Sequence, residues 1–128
     1  MLLIKTTLKE TPGKGIGLFT LENIQQGSII HIDETEFDKV YTLEFVKENH
    51  LKEFFDKYAA YNITDRNYYL CSDNARFMNH SFTPNTFYSK KDGQTIAKED
   101  ILVGEEITTD YTEFCDSCRV DGLDFKMI

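Results

Sequence analysis

Apolar residues along this chain come in short alternating runs broken by polar turns, with one stretch at helical spacing. Leu2–Leu8 reads as a first strand. In TPGKGIGLFT, Gly13, Gly15 and Gly17 follow Pro12, which predicts a tight turn running into a short strand, Leu18–Thr20. A turn at Asn23–Gly27 leads to a strand over Ser28–Ile32 and an acidic loop around Asp33–Glu36. Leu43, Val46, Leu51, Phe54, Phe55 and Tyr58 recur every three or four residues, so one helix is expected over Thr42–Tyr58, capped by Thr42. Tyr68–Cys71 reads as a strand and Asp73–Met78 as one helical turn started by Asp73 or Asn74. Thr86–Ser89 and Gln94–Lys98 form a hairpin around Lys91-Asp92-Gly93. Val103–Glu106 turns into a last strand, Ile107–Thr109. Short strands with one longer helix near 42–58 give a mostly β or α+β class.

Composition narrows the class. At 128 residues the chain suits a single domain, 1–128, and no internal repeat or linker divides it. Ten Phe and seven Tyr supply burial that a disordered chain lacks. No apolar run approaches the roughly 20 residues of a membrane helix, and the apolar start is too short for a signal peptide. The expectation is therefore a cytoplasmic or nuclear protein without a membrane partner. The formal charge of −8, with scattered Lys and Arg, argues against direct nucleic-acid binding and suits a basic protein or peptide partner. Three Cys, two of them as Cys115-x-x-Cys118, do not make a disulfide framework. His31, His50 and His80 lack metal-ligand spacing, so no metal is assigned.

Three segments carry candidate chemistry. The G-x-G-x-G turn allows close approach of backbone to a ligand, but lacks the spacing of a dinucleotide or phosphate loop. Asn79-His80-Ser81 is a polar cluster among Phe77, Met78 and Phe82, which reads as a satisfied buried network or as ligand-binding groups. Asp110-Tyr111 ends a strand after the acidic turn at Glu105-Glu106, and its phenol reads as a core hydroxyl or a functional one.

In this order, the three segments resemble the SET-domain protein lysine methyltransferases. Gly15-Ile16-Gly17 is similar to the family's N-terminal motif. Arg76-Phe77-Met78-Asn79-His80-Ser81, with Pro84-Asn85, is similar to its central motif, and Gly104–Tyr111 to its closing G-E-E-I-T-x-D-Y motif. The motif-bearing core spans about 13–111, and the short length is like that of minimal, stand-alone members such as the viral SET proteins. The resemblance implies small β-sheets around a pseudoknot, in which the segment near Tyr111 threads past Arg76–Ser81. It implies S-adenosylmethionine as methyl donor, held by Lys14, Gly15, Ile16, Gly17, Asn79 and His80 with Arg76 alongside, and Tyr111 as catalytic residue where cofactor and lysine pockets meet. Tyr61, Tyr68, Tyr69 and Phe114, with Thr109, are the residues open to lining a substrate channel. The region 42–67 lies where relatives carry a variable substrate-side insert.

Some positions depart from that pattern. Phe82 stands where many relatives have a zinc-binding Cys, and Cys115-x-x-Cys118 does not have the family's zinc spacing. The segment 112–128 then closes the site otherwise, with Phe114 or Phe125 over the adenine, or with a second subunit in a homodimer. Thr109 stands where an aromatic is common, which leaves the methylation state open. The aromatic often found in the strand after the glycine turn is not evident around Ile30–Glu34. The function expected is lysine N-methylation of a basic protein segment, such as a histone tail. The alternatives are a catalytically weak domain that binds cofactor or peptide, and a small metal-binding domain built on Cys115 and Cys118.

Overall fold

The computed structural model describes residues 1–115. Its elements in chain order are β1 (Thr6–Thr11), β2 (Gly15–Thr20), β3 (Ile29–Ile32), β4 (Lys39–Thr42), α1 (Leu43–Glu48), α2 (Lys52–Tyr58), β5 (Ala60–Asn62), β6 (Asn67–Leu70), β7 (Asn79–His80), β8 (Thr86–Ser89), β9 (Gln94–Ala97) and β10 (Thr108–Thr109). Single 3₁₀ turns cover Asn74–Phe77 and Tyr111–Glu113.

The strands make four small sheets among the described residues: β1-β2, β3-β9-β8, β4-β6-β5 and β7-β10. The first three are antiparallel, and only β7-β10 is parallel. The turn between β1 and β2 uses Gly13 and Gly15, both at positive φ, so the chain can reverse within a few residues. One core gathers Leu18, Ile24, Ile30, Ala75, Met78, Ala97, Ile101 and Ile107. A second holds Val46, Phe55 and Tyr68 beneath the two helices and the β4-β6-β5 sheet.

The closing segment is wedged between the N-terminal and central parts of the chain. On one side the Ile107 N–H donates to the Leu18 carbonyl at 2.8 Å, and Glu106 pairs with Phe19. On the other, β10 runs parallel to β7, with Thr108 opposite Asn79 and Thr109 opposite His80. The Asn85 side chain clamps the same segment, donating to the Glu106 carbonyl at 2.8 Å and accepting from the Thr108 N–H at 2.9 Å. Rules for consecutive elements do not predict so intimate a contact between residues far apart in sequence, whereas the family resemblance does.

Several sequence expectations are corrected. The single helix over Thr42–Tyr58 is two, because the chain turns at Asn49-His50. There the Asn49 amide donates to the Phe45 carbonyl at 2.8 Å and His50 adopts φ 57°, a left-handed conformation no helix continues. Leu51 keeps the apolar spacing across the break, so side-chain periodicity alone could not reveal it. Thr42 does cap the first helix, accepting from the Phe45 N–H at 3.1 Å. The first strand begins at Thr6, although Leu2 bridges His31. Strands β4 and β5, which flank the helices and sandwich β6, were not expected from their mixed, half-exposed side chains. The Asp73–Met78 turn and the hairpin around Lys91-Asp92-Gly93 occur where the sequence placed them.

Among the described residues no helix is long and apolar enough to cross a membrane. Nor does any group of three or more His, Cys, Asp or Glu there stand ready for a metal ion. Cys118 and Phe125, named above for metal binding and for site closure, lie outside the described residues, as does most of the segment 112–128.

Candidate active site

The parallel β7-β10 pair brings the central and closing motifs together. It carries Asn79 and His80 on one strand and Thr109 on the other, all 3% exposed or less. Asn79 ties three segments to one another. Its side-chain amide donates to Glu106 Oε2 at 2.7 Å and to the Ile16 carbonyl at 3.3 Å, while the Thr11 hydroxyl donates to the same Glu106 oxygen at 3.1 Å. Gly17 lies under this knot. A Cβ there would stand 2.3 Å from Glu106 Oε2, 2.5 Å from Thr11 Oγ1 and 2.9 Å from Asn79 Nδ2, so an added methyl would force these side chains to shift. The Lys14 ammonium donates to the His80 carbonyl at 3.0 Å. Lys14, Gly15, Ile16 and Gly17 thus border a shelf built on Asn79 and His80. Ile16 is 51% exposed beside it, and the Phe82 ring, 69% exposed, meets the His80 ring edge-on at 4.4 Å.

Tyr111 begins the 3₁₀ turn that follows β10, and its neighbours fix it at both ends. Its N–H donates to His80 Nδ1 at 3.0 Å, and its hydroxyl donates to the Met78 carbonyl at 2.5 Å. The first bond makes Nδ1 an acceptor, so the Asp110 carboxylate at 3.8 Å from that atom is a neighbour rather than an ion-pair partner. Asp110 instead caps the turn, accepting from the Thr112 N–H at 2.9 Å. The Tyr111 ring stands 5.3 Å from His80 and 5.8 Å from Phe114.

On the far side of Tyr111 lies a cavity of about 430 Å³. Tyr61, Tyr69, Thr109, Tyr111 and Phe114 line it, whereas Lys14, Gly17, Asn79 and His80 do not. The residues named from the sequence therefore divide into a shelf group and a cavity group, with Tyr111 belonging to both.

Two placements differ from expectation. Tyr68 is 2% exposed and sits in the second core, donating to Asp56 Oδ1 at 2.7 Å. Burial and that carboxylate push its phenol well above the usual tyrosine range. It supports the cavity wall by packing against Tyr61, ring to ring at 4.9 Å, and does not line the cavity. Arg76 lies on the cavity wall with its guanidinium over the Phe77 ring at 5.3 Å, rather than within the shelf contacts.

The structure also adds residues that sequence reasoning left out. His31, Asp33, Glu34, Asp38, Cys71 and Tyr88 line the same cavity. Tyr88 was assigned to its strand, but the period-two pattern does not tell which face of a half-buried hairpin meets a cavity. Asp33 and Glu34 read only as part of an acidic loop because nothing local marks the wall opposite. Burial holds the His31 imidazole below its ordinary value of 6.5 and pushes the Cys71 thiol up to about 12, so both are neutral at physiological pH.

Comparison with known proteins agrees with this arrangement. No curated protein matches the chain. Among solved structures, a Plasmodium falciparum protein named as a candidate histone methyltransferase is similar over 86% of this chain and 95% of its own, with 21% identity and a TM-score of 0.60. The Neurospora SET domain protein DIM-5, a histone lysine methyltransferase, is similar over 86% of this chain at 18% identity and a TM-score of 0.61, and the match spans 53% of its length. A chain of apo ctPRC2 is similar over 91% of this chain at 17% identity and a TM-score of 0.67, with 16% of its own length matched. These likenesses concern the fold. The family model of the SET domain matches residues 15–112, most of the chain and all three motif segments. The chain, with its small sheets knotted around Asn79, His80 and Tyr111, belongs to the SET-domain family.

Proposed function

We propose that this protein is an S-adenosylmethionine-dependent lysine N-methyltransferase acting on basic protein segments. The observation that carries the reading is the position of Tyr111, bonded to the shelf through its N–H and standing in the cavity wall through its ring. Family membership supports it, and the structural relatives include proteins named as histone methyltransferases.

The shelf fits the donor molecule. Gly15 and Ile16 present exposed backbone, Asn79 and His80 present a buried polar pair, Ile16 and Phe82 offer apolar surface, and Lys14 supplies a cation. That set suits a ligand with a carboxylate and a flat heteroaromatic base. Lys14, Gly15, Ile16, Asn79 and His80 would hold the cofactor, which supplies a methyl group on a sulfonium for displacement by an amine.

The chain's own residues then have three tasks. Tyr111, fixed at N–H and hydroxyl, orients the reacting centre. Because the hydroxyl proton goes to Met78, its oxygen lone pairs are what it offers to polarised C–H or N–H groups. The apolar lining from Tyr61, Ala75, Met78, Tyr111 and Phe114 receives the target side chain. A free lysine has a pKa near 10.4, and desolvation there favours the neutral amine that the displacement needs. Alignment of amine and methyl supplies much of the acceleration.

The reading is tested by incubating the protein with labelled S-adenosylmethionine and lysine-containing basic peptides, then measuring methyl-lysine by mass spectrometry. Tyr111→Phe is expected to lower the rate by about 100-fold or more, on the scale of losing one positioned polar group at a reacting centre. Its stability should change by only about 1 kcal/mol for one lost hydrogen bond. No methyl-lysine from the unmodified protein, or an unchanged rate for Tyr111→Phe, would refute it. Cofactor binding without transfer would support the interaction-module alternative.

A further inference from the structure

The Asn79 amide can stand in only one orientation. Its NH2 group has two protons, of which one goes to Glu106 Oε2 at 2.7 Å and the other to the Ile16 carbonyl at 3.3 Å. A carboxylate oxygen and a carbonyl oxygen only accept, so the reversed amide would set oxygen against oxygen at both contacts. The Ile16 bond is long, whereas the Glu106 bond has the length of a charge-assisted one. The Thr11 hydroxyl donates to the same Oε2 at 3.1 Å and steadies it, and without a Cβ at Gly17 the three side chains can meet.

The consequence falls on the oxygen of that amide. Asn79 is 1% exposed, and its Oδ1 accepts no hydrogen bond from the described residues, yet it is not sealed from solvent. A polar atom in so buried a side chain calls for a partner, and here the partner must be a donor from outside the chain. The Lys14 ammonium, bonded to the His80 carbonyl at 3.0 Å, puts a positive charge on the same shelf. The amino-acid end of S-adenosylmethionine carries a carboxylate and an α-ammonium. Lys14 complements the first, and the Asn79 oxygen complements the second. With the amide reversed, an NH2 group would face the ammonium, donor against donor.

We propose that Glu106 is a positioning residue, which locks the Asn79 amide so that Oδ1 and not the NH2 group meets the α-ammonium of the cofactor. The proposal rests on the S-adenosylmethionine reading of the shelf. Glu106 acts through Asn79, and its carboxylate serves as a fixed acceptor rather than as a counter-charge.

The test compares two ligands by titration calorimetry: S-adenosylhomocysteine and the analogue in which hydrogen replaces its α-ammonium. With the unmodified protein the ammonium should lower Kd about tenfold or more, as a charge-assisted hydrogen bond does. Glu106→Gln removes the charge but keeps a carbonyl acceptor for Asn79, so the ratio of the two Kd values should stay within about threefold of its original value. Glu106→Met keeps the length but removes the acceptor, so the ratio should fall to near one while the analogue binds much as before. A carboxylate that served stability alone would weaken both ligands together and leave the ratio intact. Equal binding of both ligands by the unmodified protein, a ratio that survives Glu106→Met, or one lost equally in Glu106→Gln overturns the proposal. Should Glu106→Met not fold, nuclear magnetic resonance of the unmodified protein decides: both Asn79 side-chain protons should exchange slowly with solvent, and fast exchange overturns the lock. If neither ligand binds the unmodified protein, the cofactor reading itself falls and takes the proposal with it.

Discussion

Gly17 shows how much one missing carbon decides. Its Cα lies beneath the meeting point of Thr11, Asn79 and Glu106, and a methyl group would overlap all three. Gly17→Ala is expected to destabilise the protein by about 1–3 kcal/mol, as overpacking that pushes apart the hydrogen-bonded side chains of Thr11, Asn79 and Glu106 does. Urea denaturation would measure this, and an unchanged midpoint would contradict it. The sequence made the G-x-G-x-G turn visible as a tight reversal but not the different work of its members. Gly13 and Gly15 serve backbone conformation, whereas Gly17 serves the close approach of a distant acid. Glu106 itself read as one half of a solvated pair, because its partners Asn79 and Thr11 stand 27 and 95 positions away. Asn79, His80 and Tyr111 were legible through the family motifs, since their types and order are unusual. Asp38 and Tyr88 belong to no motif and became visible only once the cavity had a shape.

Among the elements, the break between α1 and α2 is the clearest case of local geometry overriding pattern. The apolar spacing from Leu43 to Tyr58 serves one continuous helix as well as two short ones packed on the same core. The backbone of His50 makes the difference, held left-handed at φ 57° where an L side chain is unfavourable by about 1–2 kcal/mol. Glycine has no such penalty but gives up more chain entropy on folding. On balance His50→Gly should raise stability by about 0.5–1 kcal/mol, seen as a higher melting temperature, and a marked loss would mean that the His50 side chain contributes more than its backbone shape. The break also turns the chain early enough for β5 to pair with β6 and place Tyr61 and Tyr69 on the cavity. The hairpin of β8 and β9, by contrast, was readable in full, because Lys91-Asp92-Gly93 sets its register from within the segment.

Over the whole molecule, His31 links the start of the chain, a central sheet and the cavity. It lies opposite Thr95 in the β3-β9 pairing, bridges Leu2, and its Nε2 is 2.8 Å from the Met1 amine and 3.8 Å from the Cys71 sulfur. Burial is the main reason its folded pKa lies below 6.5, and the positive amine adds to it. Below about pH 6.5 the unfolded chain therefore binds a proton that the native protein resists, so stability falls as pH drops towards the folded value and is full above 6.5. Melting temperatures from pH 7.5 down to about 5.5 should show a steeper decline for the unmodified protein than for His31→Gln, and parallel curves would remove His31 from the account.

The wedged closing segment sets an order on how this protein can come into being. A ribosome delivers residues 15–20 and 79–86 long before 106–111, yet those early segments hold hydrogen-bonding groups that only the late one satisfies. A nascent chain halted before Glu106 would carry Leu18 without its Ile107 partner and His80 without Tyr111. Pairings over such separations form slowly. The shelf and the cavity wall at Tyr111 are thus completed only once residues 106–111 have been made, and no product ending before them would have either.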